Sequence, residues 1–212
     1  SGTTERKDGK HVVFRDYFSP NVLKPPKENF MSPVVNVYHS NIRFLDGARI
    51  PWANRVTNLA TNEEYRHTVA MLAAGYAHKG HKVLVVSDRV AFLKRCAELT
   101  GDKAICVTGE IPHEEREELI NELRFGNKNV LYGTQAIFSE GISINELSCL
   151  ILGTPINNEP LLTQLIGRII RKEEDKLTPV IIDIHLKGDT ARRQASNRVG
   201  YYMKQGYEIK EL

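Results

Sequence analysis

Six short apolar runs constrain this chain more than any other feature. Val34 to Tyr38, Lys82 to Val86, Ala104 to Val107, Val130 to Tyr132, Leu150 to Leu152 and Val180 to Ile184 are too short for core helices, and most are rich in β-branched residues. Little polar alternation interrupts them, so both faces of each run call for burial, the condition of parallel strands covered by helices on either side. The intervening segments supply those helices. Thr61-Asn62-Glu63-Glu64 offers a cap and an acidic first turn, followed by the stripe Val69, Leu72, Ala73 and Tyr76 as far as Gly80. Ser87-Asp88-Arg89 opens a second helix through Leu99, and Pro112 starts an acidic third carrying Leu119, Ile120 and Leu123. Thr190 to Lys204 forms the last, before a tail at Tyr207 to Ile209. The pattern predicts an α/β domain, a mainly parallel sheet sandwiched by helices.

Ahead of this regular part, residues 1–33 mix charge, glycine and the prolines Pro20, Pro25, Pro26 and Pro33. A ragged start with one extended piece at His11 to Phe14 is expected, then a stiff linker, because Pro25-Pro26 forbids helix. Asn41 to Thr57 sets Arg43, Arg49 and Arg55 among Phe44, Ile50 and Trp52. Such a basic–aromatic mixture suits nucleic acid, but a packed connector with exposed arginines is the preferred reading. The expected organisation is therefore an N-terminal extension and interdomain connector over 1–60 and one domain over 61–212. Ser1-Gly2 in place of an initiator methionine is expected of a fragment of a longer chain, and the polar Ser1 to Lys10 stretch is not expected to act as a secretory leader.

Bulk properties exclude more than they assign. A net charge of +3 with pI ≈ 8.7 is compatible with a polyanionic partner without requiring one. Cys96, Cys106 and Cys149 are widely spaced in apolar surroundings, as expected of buried thiols in a reducing compartment rather than a disulfide framework. No apolar run approaches the roughly 18 residues of a membrane span. The seven histidines show no convergent metal-ligand spacing, so no metal site is expected. The expected setting is the cytoplasm, a host's if the source is viral, or the nucleoid, not the outside of the cell, and the fragment is expected to be a monomer.

In parallel sheets, ligands gather at the carboxyl ends of the strands. Ser87-Asp88-Arg89, Thr108-Gly109-Glu110, Gly133-Thr134-Gln135 and Gly153-Thr154-Pro155 each follow a predicted strand. Four small polar clusters are thus expected along one edge, where hydroxyls and early-helix N–H groups donate to phosphate. Beyond Pro155 and Pro160, the periodicity of Leu161 to Lys172 predicts a helix. Its spacing puts Gln164, Arg168 and Arg171 on one face and Leu162, Leu165, Ile166, Ile169 and Ile170 on the other. Guanidinium presents a fixed fork that matches phosphate, and Gly167 beside that row leaves room for a close neighbour. An ordinary solvated face holding two arginines is the alternative.

The rest of a nucleotide site is missing. No G-x-x-x-x-G-K-[ST] occurs, since Gly9-Lys10 is followed by His11, and no strand ends in the paired acids that hold Mg²⁺. Half a nucleotide site is the economical interpretation, its arginines acting in trans across a cleft.

The order SDRVAFLKRCAEL, VTGE, EEREELINELRFG, VLYGTQAIFSEGISI and QLIGRIIRK, from about Thr61 to Ile209, resembles the second, C-terminal RecA-like domain of superfamily 2 helicases. Within that family it is similar to the phage UvsW-type and XPB/RAD25-like group of DNA helicases and branch-migration enzymes. The resemblance implies a RecA-like, P-loop NTPase-like topology without its own P-loop. It also implies an ATP-dependent helicase as the full-length parent, with ATP and Mg²⁺ held mainly by an absent first RecA-like domain and none bound tightly by this fragment, which alone would be inactive. Gln164, Arg168 and Arg171 match the family's Q-x-x-G-R-x-x-R element, the glutamine near the nucleotide and the arginines serving the γ-phosphate, Arg171 as the finger. Gly141 matches the glycine before the ribose-facing residue, and Ser143 stands where family members commonly carry Asp, giving a weaker hydrogen bond to ribose. Thr134 and Gln135 match positions coupling the nucleic-acid backbone to the cleft. Ser87, Asp88, Thr108 and Gly109 resemble the other strand-end elements of the single-strand track. The implied partners are single-stranded or branched DNA and the first RecA-like domain of the same protein, with no membrane.

Three other readings compete. Asp183, His185 and Asp88 would be the ligands of a metal-dependent nuclease; a parallel sheet also serves nucleotide-sugar enzymes; and the domain on its own would serve as a non-catalytic nucleic-acid or protein-binding module.

Overall fold

The runs that open the sequence form one seven-stranded sheet in spatial order β3-β4-β2-β5-β6-β1-β7, with every neighbouring pair parallel. The computed structural model describes residues 29–139 and 142–212, so the extended piece expected at His11 to Phe14 and the prolines before it lie outside the described residues. The strands are β1 (Val34–Arg43), β2 (Lys82–Val86), β3 (Ala104–Val107), β4 (Val130–Gly133), β5 (Leu147–Leu152), β6 (Val180–Lys187) and β7 (Glu208–Glu211). The helices are α1 (Trp52–Thr61), α2 (Glu63–His78), α3 (Val90–Thr100), α4 (His113–Phe125), α5 (Ala136–Ser139), α6 (Glu159–Ile169) and α7 (Asp189–Gln205).

Burial on both faces is met as expected. One core packs α1, α2 and α3 on Val83, Val85, Tyr132, Ile151 and Ile182. The other packs α4 and α6 on Leu84, Leu131, Leu150, Leu152 and Ile181. Successive residues of one strand thus feed opposite cores, which is why the strands read as unbroken apolar runs. The caps also follow from sequence: Asn62 accepts from the backbone N–H of Tyr65 at 2.9 Å, and Asn158 from that of Leu161 at 3.4 Å.

Three departures matter. The connector expected over Asn41 to Thr57 contains α1, whose Val56, Leu59 and Ala60 are buried in the first core behind Pro51. Its arginines drew attention away from an i, i+3, i+4 apolar stripe. Of the tail at Tyr207 to Ile209, Glu208 and Ile209 belong to β7, which runs on to Glu211 as an edge strand paired with β1. The division at residue 60 falls within the last turn of α1; β1 lies inside the sheet between β6 and β7, and α1 shares the core of α2. No helix among the described residues is long and apolar enough to cross a membrane.

Candidate nucleotide and nucleic-acid interface

Register puts the four strand-end clusters in one row. Val86 lies opposite both Gly133 and Leu152, and Val107 opposite Gly133, so Ser87, Thr108, Thr134 and Gly153 all begin the turns off the carboxyl edge. Ser87 and Thr154 exchange a hydroxyl hydrogen bond at 3.0 Å, Ser87 Oγ accepts from the Arg89 N–H at 3.0 Å, and the Ser87 N–H donates to the Gly133 carbonyl at 3.3 Å. Gly153 is required for this close approach, since a Cβ there would sit 2.9 Å from the Val86 carbonyl oxygen.

The side chains of the row divide by burial. Ser87 and Thr108 are buried, and Ser87 is spent bracing the turn. Asp88, Gly109 and Gln135 are exposed, so they form the presented surface. The buried hydroxyls of Thr108 and Thr134 have no hydrogen-bond partner among the described residues, which leaves two donors at the edge unused there.

The arginine element is built differently. In α6, Leu162, Leu165, Ile166 and Ile169 pack on the sheet while Gln164 and Arg168 face outward, half-buried. The helix ends at Ile169, not at Lys172, so Arg171 does not continue the row of Gln164 and Arg168. The reason is tertiary: the chain entering β1 captures this segment. Met31 N–H donates to the Ile170 carbonyl at 2.7 Å, Lys172 N–H to the Asn29 carbonyl at 3.0 Å, and Phe30 and Arg171 form an antiparallel bridge. Among the described residues, a Cβ at Gly167 would meet nothing within 4 Å, which leaves room beside the row.

Although off the helix, Arg171 turns back to the segment ahead of β5. It donates to Ser143 Oγ at 3.0 Å and Asn145 Oδ1 at 3.3 Å, while Arg168 donates to the Ile142 carbonyl at 3.3 Å. Ser143 in turn donates to Asn145 at 3.1 Å, so the hydroxyl matched to ribose is engaged within the chain. Lys176 closes the loop, donating to the carbonyls of Asn145 at 2.8 Å and Arg171 at 2.6 Å, and Arg124 donates to the Ser143 carbonyl. Four cations converge on residues 142–145. Burial lowers the Arg168 pKa, and the charge of Arg171 lowers it further. Burial likewise brings Lys176 down to about 8, with Arg171 adding to the shift and Glu173 and Glu146 opposing it. Cations held together at such a cost gain from an anion.

Sequence reasoning missed Arg124, Asn145 and Lys176. Their relation to Ser143 runs through the tertiary fold; only the Ser143–Asn145 spacing was visible locally. Gly141 lies outside the described residues.

The two elements stand at opposite ends of the sheet. Helix α6 leaves the carboxyl edge after β5 and returns about 16 Å along the strands, so that Arg168 and Arg171 sit near the segments entering β1 and β5.

The nuclease reading fails on placement. Asp183 is taken by Arg198, whose Nε donates to both carboxylate oxygens at 3.0 Å and whose Nη2 donates to Oδ1 at 2.7 Å. Asp88 ends β2, and β5 stands between β2 and β6. No group of three or more metal-ligating side chains occurs among the described residues. The three cysteines are free thiols; burial raises Cys96 to about 12 and Cys106 to about 11.

A parallel sheet sandwiched by helices, with an outward arginine element and a row of polar strand-end turns, defines a RecA-like domain of the P-loop NTPase type. Comparison with known proteins specifies it further. The helicase conserved C-terminal domain model matches residues 64–173, just over half of the chain, and the chain belongs to that family. It is 39% identical over 211 residues to "Probable helicase D10" of Escherichia phage T5, covering 98% of this chain and 47% of that protein. It is 24% identical over 158 residues to the ATP-dependent DNA helicase uvsW of Enterobacteria phage T4, covering 73% of this chain and 31% of that one. The crystal structure of T4 UvsW superposes with a TM-score of 0.67 at 20% identity, over 90% of this chain and 43% of that one. Dbp5 of S. cerevisiae, bound to RNA and ADP BeF3, superposes with a TM-score of 0.60 at 12% identity, over 99% and 50%. The chain thus spans less than half the length of these two phage relatives. It is a C-terminal helicase-domain module, homologous to phage superfamily 2 helicases.

Proposed function

We propose that this chain is the C-terminal motor domain of an ATP-dependent superfamily 2 DNA helicase or translocase, acting with a first RecA-like domain of the same protein in the cytoplasm or at the nucleoid. Unwinding, reannealing or branch migration during DNA repair, recombination or replication is the corresponding work. The observation that carries the reading is the convergence of Arg124, Arg168, Arg171 and Lys176 on residues 142–145, beside the unoccupied space at Gly167.

That donor set suits phosphate and not a metal, so Mg²⁺ ligands and the phosphate cradle belong to the first domain. ATP bound there would supply the hydrolysable phosphoanhydride. Arg171 is the finger, its guanidinium aimed by Ser143 and Asn145 and its backbone clipped by Lys176. Arg168 adds a second positive charge and Gln164 a neutral contact on the same side. Asp88, Gly109, Thr134 and Gln135 line the strand-end track, with Ser87 and Thr108 shaping its turns. Such contacts position a backbone without reading bases, so weak sequence preference and strong salt dependence follow. T4 uvsW is named a DNA helicase and a mimivirus relative a putative RNA helicase, so the DNA assignment rests on the resemblance to the uvsW group and not on the relatives' names taken together.

The test is steady-state ATP hydrolysis by the full-length parent with and without Arg171→Ala. Turnover should be lost while DNA binding persists, and the isolated chain should hydrolyse no ATP. Unchanged turnover in the variant, or robust Mg²⁺-dependent hydrolysis by the isolated chain, would sink the reading and leave a non-catalytic binding module.

A further inference from the structure

Trp52, the one tryptophan of the chain, keeps 44% of its surface exposed at the start of α1. One side of its ring leans on Phe44, which is 1% exposed, with centroids 5.3 Å apart and planes at 58°. The segment carrying it is pinned at both ends. Asp46 accepts from the backbone N–H groups of Asp189 at 3.1 Å and Thr190 at 2.9 Å, which ties the loop after β1 to the start of α7. Arg55 reaches back from α1 to the Ile50 carbonyl at 2.9 Å and to the Gly47 carbonyl. Gly47 adopts φ +120°, which a side chain would strain.

This loop meets the strand-end row. Arg89, one residue beyond Asp88, donates to the Ala53 carbonyl at 3.2 Å, immediately after Trp52. Arg43, which closes β1 and lies 3.6 Å from the Asp46 carboxylate, and Arg49, on the loop itself, are both exposed. A large aromatic left half in water forgoes the burial that α1 supplies to Val56, Leu59 and Ala60. Held rigidly among cations, it offers an open π-face at little entropic cost, the arrangement that single strands use for stacking.

We propose that Trp52 is a base-stacking platform for a single polynucleotide strand, with Arg43 and Arg49 as flanking phosphate contacts, extending the strand-end track across the loop after β1. The assignment rests on the nucleic-acid reading of that track and adds residues outside the segment matched by the family. Charge complementarity and continuity with the row at Arg89 select this occupant.

The experiment follows tryptophan emission of the chain at low salt as oligothymidylate or oligouridylate is added, with anisotropy of the labelled oligonucleotide read in parallel. Emission should be quenched saturably, at the same midpoint as the anisotropy. Trp52→Leu, which keeps an apolar contact for Phe44 but has no π-face, should bind about tenfold more weakly, with Trp52→Phe in between. Arg49→Ala should reduce the salt dependence. A thermal melt of each variant identifies loss of folding, and the emission experiment needs no substitution. Binding with unchanged emission, and Trp52→Leu equal to the unsubstituted chain, overturns the stacking platform and leaves the track standing. No binding of either oligonucleotide overturns both.

Discussion

Arg198 lies on the buried face of α7, 7% exposed, and donates to both oxygens of Asp183. Arg171 stands exposed beyond the end of α6, with a hydroxyl and an amide oxygen as its partners. Burial alone would raise the Asp183 carboxyl, but the Arg198 charge and its hydrogen bonds, with the His185 ring 3.7 Å away, hold it well below the usual carboxylate range. A guanidinium so matched has its charge balanced within the chain. At Arg171 the neutral partners orient the group while its charge stays available. Partner chemistry, and not the mere presence of arginine, separates a structural pair from a candidate phosphate contact.

The comparison breaks most readily at Arg171. In the full-length parent, Arg171→Ala should lower ATP turnover by about 10³-fold or more, with the urea midpoint of the chain nearly unchanged because the residue is exposed. A large fall in stability would make Arg171 a second structural arginine.

Arg198→Ala should behave in the opposite way, costing about 3–5 kcal/mol in urea unfolding, because a buried carboxylate is left uncompensated. Acid sensitivity sharpens the point. Asp183 is depressed in the folded chain, so its stabilisation is present above the ordinary value of 3.8 and is lost as pH falls below it, where the unfolded chain binds the proton first. Replacing the pair together, Asp183→Leu with Arg198→Met, should remove that acid-labile component. An unaltered acid limb would count against it.

Lys176 gives a smaller effect, a penalty at neutral pH that is relieved on the alkaline side. Its folded value of about 8 lies below the model-peptide 10.5, so between these limits the unfolded chain holds a proton that the folded chain has released. Stability relative to Lys176→Gln should therefore rise from pH 8 toward 10.5; a flat difference would show that Lys176 is not confined beside Arg171. Solvent exposure of about half the group keeps the gain modest. Least of all, Asn62→Ala should cost about 1 kcal/mol through loss of the α2 cap, leaving hydrolysis by the parent unchanged.

Legibility followed the range of the interactions. The bounds of β2 and β3 were readable to the residue, and Asn62 announced the start of α2, because a buried run and a cap are local patterns. α1 was hidden by conspicuous arginines, although Val56, Leu59 and Ala60 carried its period. Arg171 was misplaced for another reason: helical periodicity continues past Ile169, but the partner that ends the helix, residues 29–31, lies far away in the chain. Arg124, Asn145 and Lys176 belong to the same class of surprise.

From its sequence alone, this chain was committed to a covered parallel sheet, to polar turns at the carboxyl ends of its strands and to an amphipathic helix bearing Gln164 and Arg168. Unbroken apolar runs, an apolar period of 3.6 and the Asn caps specify those features within a few residues of themselves. Tertiary structure alone decided which arginine would be neutralised by Asp183, where Arg171 would turn, and that Trp52 would stand beside Arg89. Each of those outcomes depends on which distant groups the packed sheet brings within hydrogen-bonding or van der Waals reach.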